Sequence, residues 1–434
     1  MVGKARVRGA ALLAVAAVVL AGCGDSGSDD SGGGGGQAAA LEGRGPIKFA
    51  TGKDTSGNMQ KLVDEWNGKH PDEKVEITEL PESADDQRSQ MIQNAQAKSK
   101  EFTILNLDVV WTAEFAANRW VVQLPEDQFD LDQFLEPAVN TGKYRDNLYA
   151  VPVYSDGGLL YYRKDLLDAA QVEPPKTWDE MAAACQKIKA TPANANLGCY
   201  AGQFDKYEGL TVNFSEAVQS AGGNILDESG KPTVNTPEAK EGLNFLVDGV
   251  KSKAIPAAAI TYKEEEGRRA FQDGELIFHR QWPYQYAKAN ATDGSSKVAG
   301  KFDVAPLPGK DGPGVSTLGG HNFAISAFAE NKATALDFIK FFTSEEAERS
   351  NLLATSQAPT RANLYDDPEL LEQFPYLTTL KESILNAVPR PQAVKYGDVT
   401  AAIQEAAYGA MNGDVSTDDA LKDLQSKLES LTTQ

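Results

Sequence analysis

The chain of 434 residues carries 62 acidic against 42 basic side chains, for a formal net charge of −20, with three histidines and three cysteines. A surface so acidic argues against nucleic acid as a partner, and His70, His279 and His321 lack the mutual spacing of a catalytic metal site. About 390 residues follow position 40, too many for one small core, so two domains are expected.

Lys4, Arg6 and Arg8 precede an unbroken apolar run from Ala10 to Leu20. Its eleven residues fall short of the roughly 20 that span a bilayer and suit the apolar region of a signal peptide. Leu20-Ala21-Gly22-Cys23 follows at once and resembles the bacterial lipobox, in which the Cys is acylated and becomes the mature N-terminus. Residues 1–22 are therefore expected to be a lipoprotein signal peptide and Cys23 the lipidation site. Losing the three cations takes the net charge to −23. Gly24 to Ala40 holds no large apolar residue and cannot bury enough surface to fold. Residues 23–45 read as a flexible linker, with a reach of about 25 Å for some 20 residues. Two or three acyl chains would make the attachment stable where one is marginal. The protein is thus expected outside the cytoplasm, lipid-anchored to the outer face of the cell membrane. No apolar run after Ala40 approaches a membrane span.

From Pro46 onward strand and helix patterns alternate. Ile47–Ala50 reads as a strand, and Met59, Leu62, Val63 and Trp66 mark one helical face. Val75–Leu80 alternates apolar and polar, Ser83 reads as the N-cap of the next helix, and Thr103–Leu107 is a strand ending at Asp108. This order implies a mainly parallel sheet covered by helices. Leu159–Arg163 and Leu197–Ala201 are strand-like. Thr177 with Glu180 makes a capping box for the helix holding Cys185. Thr236-Pro237 starts another helix. Glu275–Phe278 and Phe302–Leu307 read as strands, Ala335 to Phe342 as an amphipathic helix, and Thr400 to Leu431 as a helical stretch. Cys185 and Cys199 lie 14 apart in what would be an oxidising compartment, so a disulfide is expected. The body is α/β throughout.

Catalytic signatures are missing. No phosphate-binding loop, no GxGxxG after a strand and no GxSxG elbow appears. Acidic pairs such as Asp85-Asp86 and the run Glu264-Glu265-Glu266 are common in so acidic a chain and read first as solvated helix faces. No catalytic residue, cofactor or metal is expected.

Several segments carry a resemblance. They are Asp108-Val109-Val110-Trp111-Thr112-Ala113-Glu114-Phe115-Ala116, and Tyr149 to Asp156 running into Leu160 to Leu167. Gln203, Tyr207-Glu208-Gly209-Leu210 and Gln281-Trp282-Pro283-Tyr284 follow, then Leu318-Gly319-Gly320 and Phe338 to Ser344. In this order, behind a lipobox, the chain from residue 46 onward resembles the carbohydrate-binding proteins of ABC importers, which include maltose- and trehalose-binding proteins. The resemblance implies a periplasmic-binding-protein-like fold of two α/β lobes with a ligand cleft and hinge. The first lobe is expected over 46–153 plus 302–345 and the second over 154–301 plus 346–434. It also implies a non-enzymatic monomer that binds a di- or oligosaccharide of trehalose or maltose type and presents it to permease subunits.

A sugar offers hydroxyls that donate and accept, and apolar ring faces that Trp and Tyr cover. On the resemblance, Trp282 stacks on a sugar ring, with Trp111 as a second aromatic, and Asp108 and Asp156 bond hydroxyls from strand ends. Asp86, Glu208, Glu264 and Arg390 join them as polar candidates, Arg390 held between Pro389 and Pro391. Gly319 and Gly320 offer backbone N–H groups or simply make a tight turn. Where related sugar binders often carry Trp after the glycine pair, this chain has His321, a smaller, titratable ring that would change one sugar subsite. Two alternatives stay open: a binder of peptide, polyamine or ferric ion, the last suggested by Tyr161-Tyr162, and a surface glycosidase.

Overall fold

The computed structural model describes residues 41–54, 56–227 and 229–432. The expected signal peptide, Cys23 and the linker as far as residue 40 lie outside the described residues. Strands β1 (Ile47–Thr51), β2 (Val75–Glu79) and β3 (Ile104–Asp108) pair in parallel with β1 in the middle. A short hairpin, β4 (Lys143–Tyr144) and β5 (Asn147–Leu148), leads into β6 (Ala150–Asp156). A second sheet, ordered β10-β7-β9-β8, is made by β7 (Leu159–Tyr162), β8 (Gly198–Ala201), β9 (Leu276–Gln281) and β10 (Asp303–Ala305). The chain then returns to the first sheet as β11 (Thr317–Ile325), antiparallel to both β3 and β6. Finally β12 (Val388–Pro389) pairs in parallel with the start of β11.

The architecture is the expected two-lobed α/β fold, with corrections. The sheets are mixed rather than mainly parallel, because β6 and β11 run against their neighbours and β7 is antiparallel to both β9 and β10. Nor does the first lobe resume at residue 302. There β10 pairs with β7, and Phe302, Val304 and Leu307 pack in the core of the second sheet, so the return comes at Thr317. The first lobe likewise runs on past 153, since β6 ends at Asp156.

Alternation along the strands explains why the first sheet is buried on both faces. Phe49, Ile104 and Phe323 enter one core with Trp66 and Phe338. Their neighbours Ala50, Leu105 and Ala324 enter another with Trp111 and Phe115 on the opposite face. The second lobe has its own larger core, centred on Tyr161, Phe214, Phe271 and Phe278.

Helix boundaries follow local chemistry. Thr177 Oγ1 accepts from Glu180 N–H at 3.1 Å, and Glu180 Oε2 accepts from Thr177 N–H at 3.2 Å, completing the expected capping box. The helix it opens (Trp178–Lys189) carries Cys185, which is bonded to Cys199 of β8 with 5.6 Å between Cα atoms. Thr236 caps the helix Pro237–Lys251. Ser83 precedes the helix Ala84–Gln96 but makes no side-chain cap bond. The stretch read as helical from Thr400 to Leu431 is two helices, Tyr396–Asn412 and Thr417–Thr432, parted at Gly413. No helix among the described residues is long and apolar enough to cross a membrane.

Candidate ligand-binding site

The parallel strands β1 and β3 end together, and the carboxyl ends of such strands are where α/β sheets receive ligands. Thr51 closes β1, while Asn106 and Asp108, two apart on β3, leave the strand on one side. From β6 come Tyr154 and Asp156, and from β11 Gly319, Gly320 and His321. The second lobe faces them with Trp282 and Tyr284 just beyond β9. Glu208 begins the helix Glu208–Ser220 and Glu264 begins Glu264–Gln272, while Arg390 arrives in the segment after β12. All these residues line one cavity of about 380 Å³, within the range of about 300–1,000 Å³ typical of small-molecule sites.

One buried cation organises the polar floor. Arg390 Nη2 donates to Asp108 Oδ1 at 2.7 Å, and Nη1 donates to Glu208 Oε1 at 2.6 Å. Glu208 also accepts from the Tyr396 hydroxyl and, at 2.7 Å, from Thr400 Oγ1. Burial raises the Glu208 carboxyl above its ordinary range, and Arg390 pulls against that rise. Arg390 thus pairs with both Asp108 and Glu208, and Asp108, which lines the cavity, keeps acceptor sites beyond that ion pair.

Other groups on the wall are uncommitted. Asn106 Oδ1, His321 Nδ1 and Arg390 Nε are buried without a hydrogen-bond partner among the described residues. Arg390 Nε–H can only donate and Asn106 Oδ1 can only accept, whereas His321 Nδ1 does either by tautomer. Burial pushes the His321 imidazole down, which favours its neutral form. Orphaned buried groups are costly, and these three lie on residues that line the cavity. Beside them the half-buried Trp282 presents its ring, with Tyr154, Tyr207 and Tyr284 around it.

Burial pushes the Asp156 carboxyl up to about 7, with Arg280 opposing and Asp108 adding to the rise. Hydrogen bonds to charged groups are worth about 1.5–3 kcal/mol against about 0.5–1.5 kcal/mol for neutral pairs. A ligand hydroxyl donating to Asp156 therefore favours the ionised form. Affinity is expected to rise roughly fivefold as pH climbs from 6 to 8, with proton release on binding. Asp156→Asn should flatten that profile. Titration calorimetry in buffers of different ionisation heat reads both, and a pH-independent affinity for the native protein would refute the assignment.

Of the residues singled out in the sequence, Asp108, Asp156, Glu208, Glu264, Trp282, Gly319, Gly320 and Arg390 line the cavity. Two do not. Asp86 is exposed to solvent, because the helical period turns Ala84 and Gln87 toward the cavity and carries position 86 off that face. Trp111 is 1 % exposed and packs in the core with Phe115. The glycines serve close approach. A Cβ at Gly319 would stand 2.8 Å from the Trp282 ring, and Gly320, at φ +111°, would drive one to 2.3 Å from the Tyr154 carbonyl oxygen. Asn106 and Tyr154 were missed, although each lies two residues before a named aspartate and strand alternation puts both on the same face. Tyr161 is core. Its hydroxyl donates to the Trp282 and Pro283 carbonyls at 3.1 Å each, which removes the paired tyrosines as an iron site. Among the described residues no cluster of His, Cys, Asp or Glu could hold a metal ion.

Residues 51–349 match the family model of bacterial extracellular solute-binding proteins. A probable ABC transporter-binding protein of Deinococcus radiodurans is 34% identical over 377 residues, covering 85% of this chain and 89% of its own. A mannitol-binding protein of Pseudomonas aeruginosa is 27% identical over 353 residues, covering 78% of each. Among solved structures, maltose-bound MalE3 of T. maritima is 35% identical, with a TM-score of 0.84 over 89% of this chain and 99% of that one.

Proposed function

The chain belongs to the bacterial extracellular solute-binding protein family, and on that premise we propose that it captures a sugar and presents it to the permease of an ABC importer. As a member of that family it is a binding protein and not an enzyme. What carries the sugar reading is the cavity lining, which brings the half-buried Trp282 ring together with Tyr154, Tyr284 and the polar side chains of Asn106, Asp156 and His321. Peptides and polyamines bring their own fixed donors or charges, whereas a polyhydroxylated ring meets both signs of hydrogen bond and offers an apolar face. The names of the relatives, which bind maltose and mannitol, support a polyhydroxylated ligand. A neutral di- or oligosaccharide of maltose or trehalose type is our leading ligand, taken up by closure of the two lobes of a monomer.

A thermal-shift screen of mono-, di- and trisaccharides and polyols tests this. A true ligand at 100 times its Kd should add about 2.7 kcal/mol of stability. No shift with any sugar or polyol, together with saturable binding of a peptide or metal, would sink the reading.

The attachment site belongs to the same proposal. Cys23 lies outside the described residues, and its role rests on the apolar run and the small residues before it. We expect Cys23→Ser to release the protein or leave it unprocessed. A variant that stays in the membrane fraction at mature size would end the lipoprotein reading.

A further inference from the structure

Behind Trp282, away from the cavity, lies a buried ion pair that the binding site does not use directly. Arg280 and Trp282 are two apart at the end of β9, so their side chains leave the chain on the same side. Arg280 is 0 % exposed, and its guanidinium carbon stands 3.8 Å from the centroid of the indole ring. Nε and Nη2 donate to Glu216 at 2.7 and 2.5 Å, and Nη1 donates to Gln203 Oε1 at 3.0 Å. The edge of the guanidinium is engaged and its flat face is left for the ring. A lysine ammonium cannot reproduce that arrangement.

Glu216 reaches further. Its Oε1 accepts from the N–H of Thr317, the first residue of β11, at 3.1 Å. Beside it, Ser316 Oγ accepts from Gly158 N–H at 2.6 Å, in the segment between β6 and β7. A Cβ at Gly158 would stand 2.8 Å from both Arg280 Nη2 and Glu216 Oε1. On its far edge the indole abuts Gly319 of β11. The ring is wedged between a pinned guanidinium and one crossing strand, and the same ion pair holds the chain at Thr317 and lies close against it at Gly158.

We propose that Arg280 is a positioning residue. It sets the plane of Trp282 for the ligand and, through Glu216, ties that ring to the β6–β7 and β10–β11 crossings between the lobes. The ligand arm of this proposal rests on the sugar reading above, whereas the arrangement of Arg280 and Trp282 can be tested without any ligand.

The experiment is a double-mutant cycle of Arg280→Lys and Trp282→Leu, read by calorimetry with maltose and by acrylamide quenching of tryptophan emission without sugar. Subtracting each Trp282→Leu partner isolates the Trp282 signal. Arg280→Lys should weaken maltose binding about tenfold when Trp282 is present and less than about twofold when it is absent. The Trp282 emission should also become more readily quenched. Equal losses in both backgrounds with unchanged quenching would overturn the proposal and leave a structural ion pair. If Arg280→Lys does not fold, Gln203→Ala removes one of the guanidinium's hydrogen bonds and keeps the Glu216 pair. It should raise quenching in the same direction, and no change would refute the role. If no sugar binds the native protein, the sugar reading fails and the quenching arm alone decides Arg280.

Discussion

Arg390→Met should cost the folded protein about 3–5 kcal/mol, the penalty expected when one partner of a buried ion pair is removed and its counter-charges remain. The side chains of Arg390 and Glu208 are 2 % and 5 % exposed, and that of Asp108 is 11 %. Met fills much of the volume, so the loss is electrostatic rather than a cavity. Without the cation, two carboxylates face each other and at least one must take up a proton. A carboxyl whose folded pKa is raised contributes stability that is present below its unfolded pKa and lost as pH rises through the folded one. The variant should therefore be hurt more at pH 8 than at pH 5. Adding Asp108→Asn should restore part of the loss. Urea unfolding at the two pH values measures this, and a cost under about 1 kcal/mol at pH 8 would show that the pair contributes no net stability. Asp108 ends a strand of the first sheet, and Glu208 starts a helix that packs in the core of the second lobe. The same substitution should therefore also loosen the cleft and weaken ligand binding.

That triad shows where sequence reading stops. Asp108 was legible as the polar residue that ends a predicted strand, whereas Asp156 came from the segment that carries the family resemblance. Trp282 was legible because it sits between a strand and a proline. What could not be read was partnership. Arg390 meets Asp108 across a sequence separation of 282 residues, and no local pattern encodes such a contact. Hence Asp108 was read as a hydroxyl partner with no sign of its ion pair to Arg390. Asp86 and Trp111 failed for a related reason. An acid near a helix start and an aromatic after a strand both suit a site, but a rotation of one residue about a helix, or one packing partner, decides which way each faces. The β10 boundary was missed because a three-residue strand carries no period long enough to reveal its sheet.

Trp282→Ala should weaken ligand binding by about 2–4 kcal/mol, roughly 30- to 1,000-fold, as removal of an anchor aromatic does. The structure gives this ring two fixed boundaries, the Arg280 guanidinium against its face and Gly319 at its edge, and leaves it half-buried on the cavity wall. A ring so held loses little freedom when a ligand stacks on it, so most of the contact should appear as affinity. If the indole were instead a core element, truncation would cost about 3–5 kcal/mol of stability while folded protein kept normal affinity. The half-buried position argues for the first outcome. Arg280 keeps its hydrogen bonds to Glu216 and Gln203 when the ring is gone, so the fold should hold. Calorimetry and urea unfolding on the same variant separate the two cases. Undiminished affinity with large destabilisation would move Trp282 from the site into the core, and with it the premise that Arg280 acts through the ring.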